Sequence, residues 1–111
     1  MRNDRERIRD ILDAISYIEK YAIKGRKTFD RDELVQIWMI YHLEIIGEAV
    51  RSISEGFKKA NPQIPWKLIA GMRNILVHEY FAIDRDEVWA TIEKDIPVLK
   101  QQLLEIFENK G

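Results

Sequence analysis

The 111-residue chain contains no cysteine. This absence excludes disulfides, thiolate metal sites and cysteine nucleophiles, and it fits a reducing compartment. Only 5 Gly and 3 Pro interrupt the chain, so few positions are expected to break a helix. No apolar run approaches the roughly 20 residues that span a bilayer, and the N-terminal sequence MRNDRERIRD has no apolar segment typical of a secretion signal. The sequence therefore predicts a cytoplasmic protein with no membrane partner.

The chain also has no large excess of charge of either sign, since it contains 18 Lys+Arg and 19 Asp+Glu. Attraction to nucleic acid must then come from a local basic patch and not from the field of the whole chain. Interspersed acidic residues favour solvated salt bridges on the basic faces, with a rim for RNA phosphates as the alternative. The basic residues concerned are Arg2, Arg5, Arg9, Lys24, Arg26, Lys27, Lys58 and Lys59.

Apolar residues recur every three or four positions along most of the chain, and no strand-like alternation of useful length occurs. This spacing predicts amphipathic helices. We expect helices over 4–24, from a cap at Asp30 to about Gly56, over 66–80, and over 88–107. Asp84 with Glu87 predicts a second cap of the same kind, and Pro97 is expected to kink or split the last helix. The predicted fold is all-α, an antiparallel bundle of four or five helices in a single domain over residues 1–111.

Few residues offer metal or cofactor chemistry. The two histidines, His42 and His78, lie on different predicted helices and form no HExxH pattern, and there is no glycine-rich phosphate loop. Glu44 and Glu48 share a helix face but lack the Glu-x-x-His pairing of di-iron bundles. His42 is expected to be a packing or interface residue. We therefore predict no metal and no cofactor.

Arg73, Asn74, His78 and Tyr80 form the most informative constellation. Asn74 and His78 lie four residues apart and so share a helix face, which Arg73 flanks, while Tyr80 lies two turns beyond Arg73. A guanidinium can hold a phosphate in bidentate fashion, and an imidazole can transfer a proton near neutral pH. From spacing alone, a helix-capping histidine and an arginine in a salt bridge explain the same residues.

The stretch from Ile64 to Phe81, IPWKLIAGMRNILVHEYF, resembles the HepT family of HEPN-domain ribonuclease toxins. The HEPN signature is an arginine, a polar residue, three further residues and a histidine, and the HepT version adds a tyrosine two residues on. Arg73, Asn74, His78 and Tyr80 fill all four positions. The segment 43–49, LEIIGEA, also resembles the family, as do the length and the helix order.

The resemblance implies an all-helical toxin of a toxin-antitoxin pair that dimerises, places two copies of the motif across one cleft, and cuts RNA without a metal. Arg73, Asn74 and His78 would be its catalytic residues. It also implies a cognate antitoxin, a minimal nucleotidyltransferase of the MntA type, that adds AMP to Tyr80. AMP there would place bulk and negative charge next to Arg73 and compete with the RNA phosphate.

Dimerisation also has a chemical argument. Attack by a ribose 2′-hydroxyl benefits from one group that removes a proton and another that delivers one, and each chain's motif has a single imidazole. A twofold axis supplies the second. The sequence thus predicts a homodimeric, metal-independent endoribonuclease with RNA as substrate, and leaves open whether dimers assemble further. The alternatives are a non-catalytic HEPN module that partners a nucleotidyltransferase, and a purely structural bundle.

Overall fold

The computed structural model of the chain describes residues 3–71 and 84–109, with side chains to residue 107. The helices are α1 (Asp4–Ala22), α2 (Arg26–Arg31), α3 (Glu33–Ser52) and α4 (Glu55–Ala60). A helical segment, α5, begins at residue 66 and is described to residue 71. After the gap come α6 (Arg85–Ala90), a π-helical turn (Thr91–Asp95) and α7 (Ile96–Asn109). All regular structure in the described residues is helical, which confirms the predicted all-α class.

Side-chain caps decide where the helices begin. Asp84 Oδ1 accepts the Glu87 N–H at 3.1 Å, as the sequence predicted for α6. The predicted cap at Asp30 is wrong, because α3 is capped by Asp32, whose Oδ1 accepts the N–H groups of Leu34 and Val35. Asp30 belongs to α2 and its carboxylate binds Arg26 in the same short helix. Both aspartates suit a cap in sequence, and the local pairing of Asp30 leaves Asp32 for α3.

The sequence predicted no helix between residue 24 and Asp30, but the short helix α2 lies there. Gly25 has a φ of 88°, a backbone conformation that glycine adopts without steric cost, and α2 follows it directly. Phe29 of α2 is fully buried against Trp89, with ring centroids 5.4 Å apart. Gln36 Nε2 donates to the Phe29 carbonyl at 2.9 Å. Tertiary packing therefore stabilises a helix of six residues that would not persist alone.

The end of α3 also differs from the sequence prediction, since α3 stops at Ser52 and Gly56 lies inside α4. Ser54 caps α4 by accepting the Phe57 N–H. Its hydroxyl and its backbone N–H both donate to Asp4, at 2.6 and 2.9 Å. The two hydrogen bonds from Ser54, first that of the side chain, lower the pKa of the Asp4 carboxyl. This contact joins the start of α1 to the start of α4.

α1 runs antiparallel to both α3 and α7. Asp4, at the start of α1, meets Ser54 just beyond the end of α3, while Tyr17 packs against Trp38 near the start of α3. Lys100, early in α7, binds Glu19 near the end of α1 at 2.9 Å. One apolar core lies between these helices. Its fully buried members include Ile8, Ile11, Ile15, Ile18, Met39, Leu43, Ile46 and Leu103.

The predicted disturbance of the last helix near Pro97 is a π-helical turn, Thr91–Asp95, that lies between α6 and α7. The helical backbone is continuous from Arg85 to Asn109, with a π-helical turn immediately before the proline. In that turn the Ile96 N–H donates to the Thr91 carbonyl, five residues back. Because proline has no N–H to donate and its ring crowds the preceding turn, a wider turn accommodates it and preserves the helix. None of the helices over 3–71 and 84–109 has the length and apolarity required to cross a lipid bilayer.

Candidate functional site

The four residues of the predicted site lie outside the described residues. Arg73, Asn74, His78 and Tyr80 all fall within 72–83, so their catalytic and acceptor roles stay predictions. The structure describes what leads into this segment, which is the turn 61–65 and the first residues of α5. We call the turn 61–65 with Trp66 the entry turn.

The entry turn is held from inside by hydrogen bonds to side chains. Trp66 is buried and its Nε1–H donates to the Asn61 carbonyl at 3.0 Å. The buried Asn61 in turn donates from Nδ2 to the Phe57 carbonyl at 3.0 Å. Phe57 packs edge-on against Trp66, with ring centroids 6.1 Å apart. The indole therefore anchors the start of α5 both by apolar burial and by satisfying a backbone carbonyl.

A second anchor comes from the far end of the sequence. Gln102 of α7 donates from Nε2 to the Gln63 carbonyl at 3.0 Å. Its Oε1 is buried and has no hydrogen-bond partner within 3–71 and 84–109. Sequence reasoning missed both Gln102 and Asn61, because a glutamine or an asparagine in a helical bundle gives no signal until the fold places a carbonyl opposite it.

His42 is a packing residue, as predicted from the sequence. It is 6% exposed, and Nδ1 lies 2.8 Å from the Trp38 carbonyl, so Nδ1 carries the proton and donates. The ring packs against Trp38, Tyr17 and Tyr41, at centroid distances of 4.6, 5.1 and 5.1 Å. Trp38 Nε1–H donates to the Tyr17 carbonyl at 2.8 Å. His42 therefore packs α3 against α1 within a cluster of aromatic side chains.

This aromatic cluster borders an exposed apolar surface. On α3, Leu34 is 77%, Ile37 53% and Tyr41 59% exposed, at the three- and four-residue spacing that places them along one stripe. Tyr17 of α1 lies alongside and is half exposed. We call Tyr17, Leu34, Ile37 and Tyr41, with the partly buried Trp38, the α1/α3 face. Clustered exposure of large apolar side chains is typical of an interaction surface.

Several basic residues that could have formed a phosphate rim are engaged within the chain. Arg26 binds both Asp30 and Asp86, with the Asp86 hydrogen bond the first cause of the raised pKa of its guanidinium. Arg5 lies over the Phe107 ring at 4.6 Å, and Lys24 over Tyr21 at 5.3 Å. At these positions the structure agrees with intramolecular pairing.

Glu44 and Glu48 do not form part of a metal centre with other described residues. Across 3–71 and 84–109, no group of three or more His, Asp or Glu side chains is placed to hold a metal ion.

Sequence similarity to known proteins covers most of the chain. The sequence pattern of the family described as Ribonuclease HepT-like matches residues 11–106, a range that contains the α1/α3 face, the entry turn and the four motif residues. No solved structure matches the chain significantly.

Named relatives are similar over most of their length. The probable ribonuclease HepT of Thermococcus cleftensis is 40% identical over 100 residues, which cover 89% of this chain and 91% of that one. A protein with a provisional RNase name from Caldanaerobacter subterraneus subsp. tengcongensis is 36% identical over 99% of both chains. Another from Methanocaldococcus jannaschii is 36% identical over 85% of this chain and 87% of its own. The chain belongs to the HepT-like ribonuclease family.

Proposed function

We propose that this protein is the toxin of a toxin-antitoxin pair and cleaves RNA without a metal ion, through Arg73, Asn74 and His78. The observation that carries the proposal is the presence of these residues, at the HEPN spacing and followed by Tyr80, inside the region that matches the HepT-like ribonuclease family. The relatives named as ribonucleases support RNA as the substrate.

The proposed chemistry is transesterification. The ribose 2′-oxygen attacks the adjacent phosphorus as its proton leaves to a base, the bond from phosphorus to the 5′-oxygen breaks, and that oxygen takes a proton from an acid. The products are a 2′,3′-cyclic phosphate and a 5′-hydroxyl. Arg73 would neutralise the phosphate with two parallel hydrogen bonds, His78 would move the proton, and Asn74 would orient the imidazole or bind the phosphate.

The direct test is RNA cleavage by the purified protein in the presence of excess EDTA. We expect cleavage to persist at the same rate, because guanidinium and imidazole groups perform every step, and we expect 2′,3′-cyclic phosphate ends. Loss of activity with the chelator, regained on adding a divalent ion, would contradict the mechanism. A 3′-hydroxyl with a 5′-phosphate would contradict it equally, since those ends require water as nucleophile.

We propose further that the protein is a homodimer, and the α1/α3 face supports association with a second copy. The face exposes large apolar side chains on two adjacent antiparallel helices. A twofold axis through it would bury the apolar stripe of one copy against that of the other and remove both from water.

Replacement of Tyr41 by glutamate is expected to shift the protein from dimer to monomer in sedimentation velocity. The change places a carboxylate in the apolar stripe of both copies, where association would remove it from water. Val98→Glu is the matched control, because Val98 is 58% exposed on α7, a helix that contributes no residue to the α1/α3 face. A Tyr41→Glu protein that remains dimeric, or a dimer lost equally in Val98→Glu, would remove the α1/α3 face from the proposal.

Tyr80 is the proposed acceptor for regulation. Its phenolic oxygen would attack the α-phosphorus of a nucleoside triphosphate bound to the cognate nucleotidyltransferase, forming a phosphodiester to AMP as pyrophosphate leaves. The added phosphate is anionic and lies, in sequence, seven residues from Arg73. On the helical spacing that the sequence predicts, the two residues share a face. The phosphate on the modified tyrosine would then bind the Arg73 guanidinium in place of an RNA phosphate.

A further inference from the structure

The direction of α5 is fixed at its base by a few contacts. Ile64 and Trp66 are buried on the core side of the entry turn, and the Ile69 N–H donates to the Pro65 carbonyl at 3.1 Å to close the first helical turn. These contacts set the position of the base. Ile64, Trp66 and Ile69 belong to the same apolar core as residues of α1, α3 and α7, so apolar burial holds the base of α5 against the bundle.

Gln102 provides a contact of another kind, because it reaches the entry turn from α7, 39 residues further along the chain. Its Nε2 holds the Gln63 carbonyl at 3.0 Å. The side chain is half-buried, with its Oε1 fully buried. This hydrogen bond therefore adds a polar contact between α7 and the turn before α5 to the packing in the core.

If the helix continues to the motif as the sequence predicts, a small change at this base would be amplified there. On the helical spacing that the sequence predicts, His78 lies 12 residues beyond Trp66, which is about 18 Å along a helix axis. A tilt of about 5° at the entry turn would therefore move the far end by roughly 1.6 Å over that length. A misplacement of about 1 Å can cost on the order of 10²-fold in rate.

We infer that Gln102 is a positioning residue for the Arg73/His78 motif, acting through its hydrogen bond to the Gln63 carbonyl. The effect on catalysis rests on the proposed function, but the effect of the Gln102 hydrogen bond on the base of α5 does not depend on it. Gln102 does not touch RNA in this role. It aligns α5, and its contribution is expected in the chemical step and not in substrate binding.

The test compares Gln102→Met, which keeps the length of the side chain but has no donor, with Gln102→Lys, which keeps a donor. Gln101→Met is the matched control, because Gln101 is the neighbouring exposed residue of α7 and its amide contacts only Glu105 of the same helix among the described residues. Hydrogen exchange of the amides over 66–71 and the kcat and KM for RNA cleavage are measured for all three and for the wild type.

For Gln102→Met we expect faster exchange over 66–71 and a kcat lowered by about tenfold or more, with KM within twofold of the wild type. Gln102→Lys and Gln101→Met are expected to resemble the wild type in both readouts. Unchanged exchange in Gln102→Met overturns the inference, as does faster exchange with an unchanged kcat or an equal effect in Gln101→Met. Wild-type protein that cleaves no RNA overturns the proposed function, and the positioning role with it, whereas the exchange result still reports on the Gln63 contact alone.

Discussion

His78→Ala is expected to lower the rate of RNA cleavage by about 10²–10⁴-fold, the usual contribution of a positioned acid–base group. In a homodimer the substitution removes both imidazoles from the cleft, so proton removal from the 2′-hydroxyl and proton delivery to the 5′-oxygen are lost together. Arg73→Ala is expected to be comparably inactive, and Arg73→Lys to recover only part of the activity, because an ammonium cannot form the bidentate contact to phosphate.

The measurement is single-turnover cleavage of RNA, with circular dichroism and thermal unfolding to establish that each variant is folded. Arg51→Ala is the matched control for charge, because Arg51 is exposed at the end of α3 and is expected to retain wild-type rates. Full activity in His78→Ala would favour the non-catalytic HEPN module, which requires the helical surface and Tyr80 but tolerates the loss of His78.

Co-expression with the neighbouring nucleotidyltransferase is expected to add whole AMP units to the chain and to abolish its RNA cleavage. The loss should be as large as that of Arg73→Ala, because the phosphodiester would engage the guanidinium and its bulk would obstruct the cleft. Intact-mass measurement detects the additions, and cleavage assays on the same sample detect the block.

Tyr80→Phe separates this regulation from catalysis. The variant lacks the acceptor oxygen and is expected to show no mass increase and to remain an active ribonuclease in the presence of the nucleotidyltransferase. Tyr41→Phe is the control, because it removes a tyrosine hydroxyl on α3, outside the motif, and should leave the modification intact. A mass increase by AMP units in the Tyr80→Phe variant would show that Tyr80 is not the only acceptor.

Helix positions followed well from sequence where one strong local signal was present. The apolar spacing that begins at Ile8 predicted α1 to within two residues at its C-terminus, and Asp84 was the correct cap for α6. Both signals depend on short-range physics: burial of one helix face, and a carboxylate that accepts free N–H groups.

Sequence reasoning failed where two local signals competed and a distant contact decided between them. Asp30 and Asp32 are both plausible caps, and Arg26 together with the burial of Phe29 against Trp89 assigns Asp30 to α2. Gly56 was expected to end α3, but Ser54 both caps α4 and binds Asp4 across the bundle.

The candidate site also has one part that the sequence predicts and another that only the fold reveals. The motif residues and their proposed chemistry come from the sequence pattern, since Arg73, Asn74, His78 and Tyr80 lie outside the described residues. The supports around them come from the fold alone. Gln102 and Gln63 are 39 residues apart, and no local rule pairs a glutamine amide with a backbone carbonyl at that separation.

The central claim is that the paired protomers share one reactive cleft, and mixed dimers test it most directly. Wild-type and His78→Ala chains carrying different affinity tags are co-expressed, and the dimer holding one of each is isolated by two successive purifications. If each cut requires one imidazole from each protomer, the mixed dimer will be nearly as inactive as the doubly substituted one. A mixed dimer that retains half of the wild-type rate would mean that each chain cuts RNA on its own, and the shared cleft would have to be abandoned.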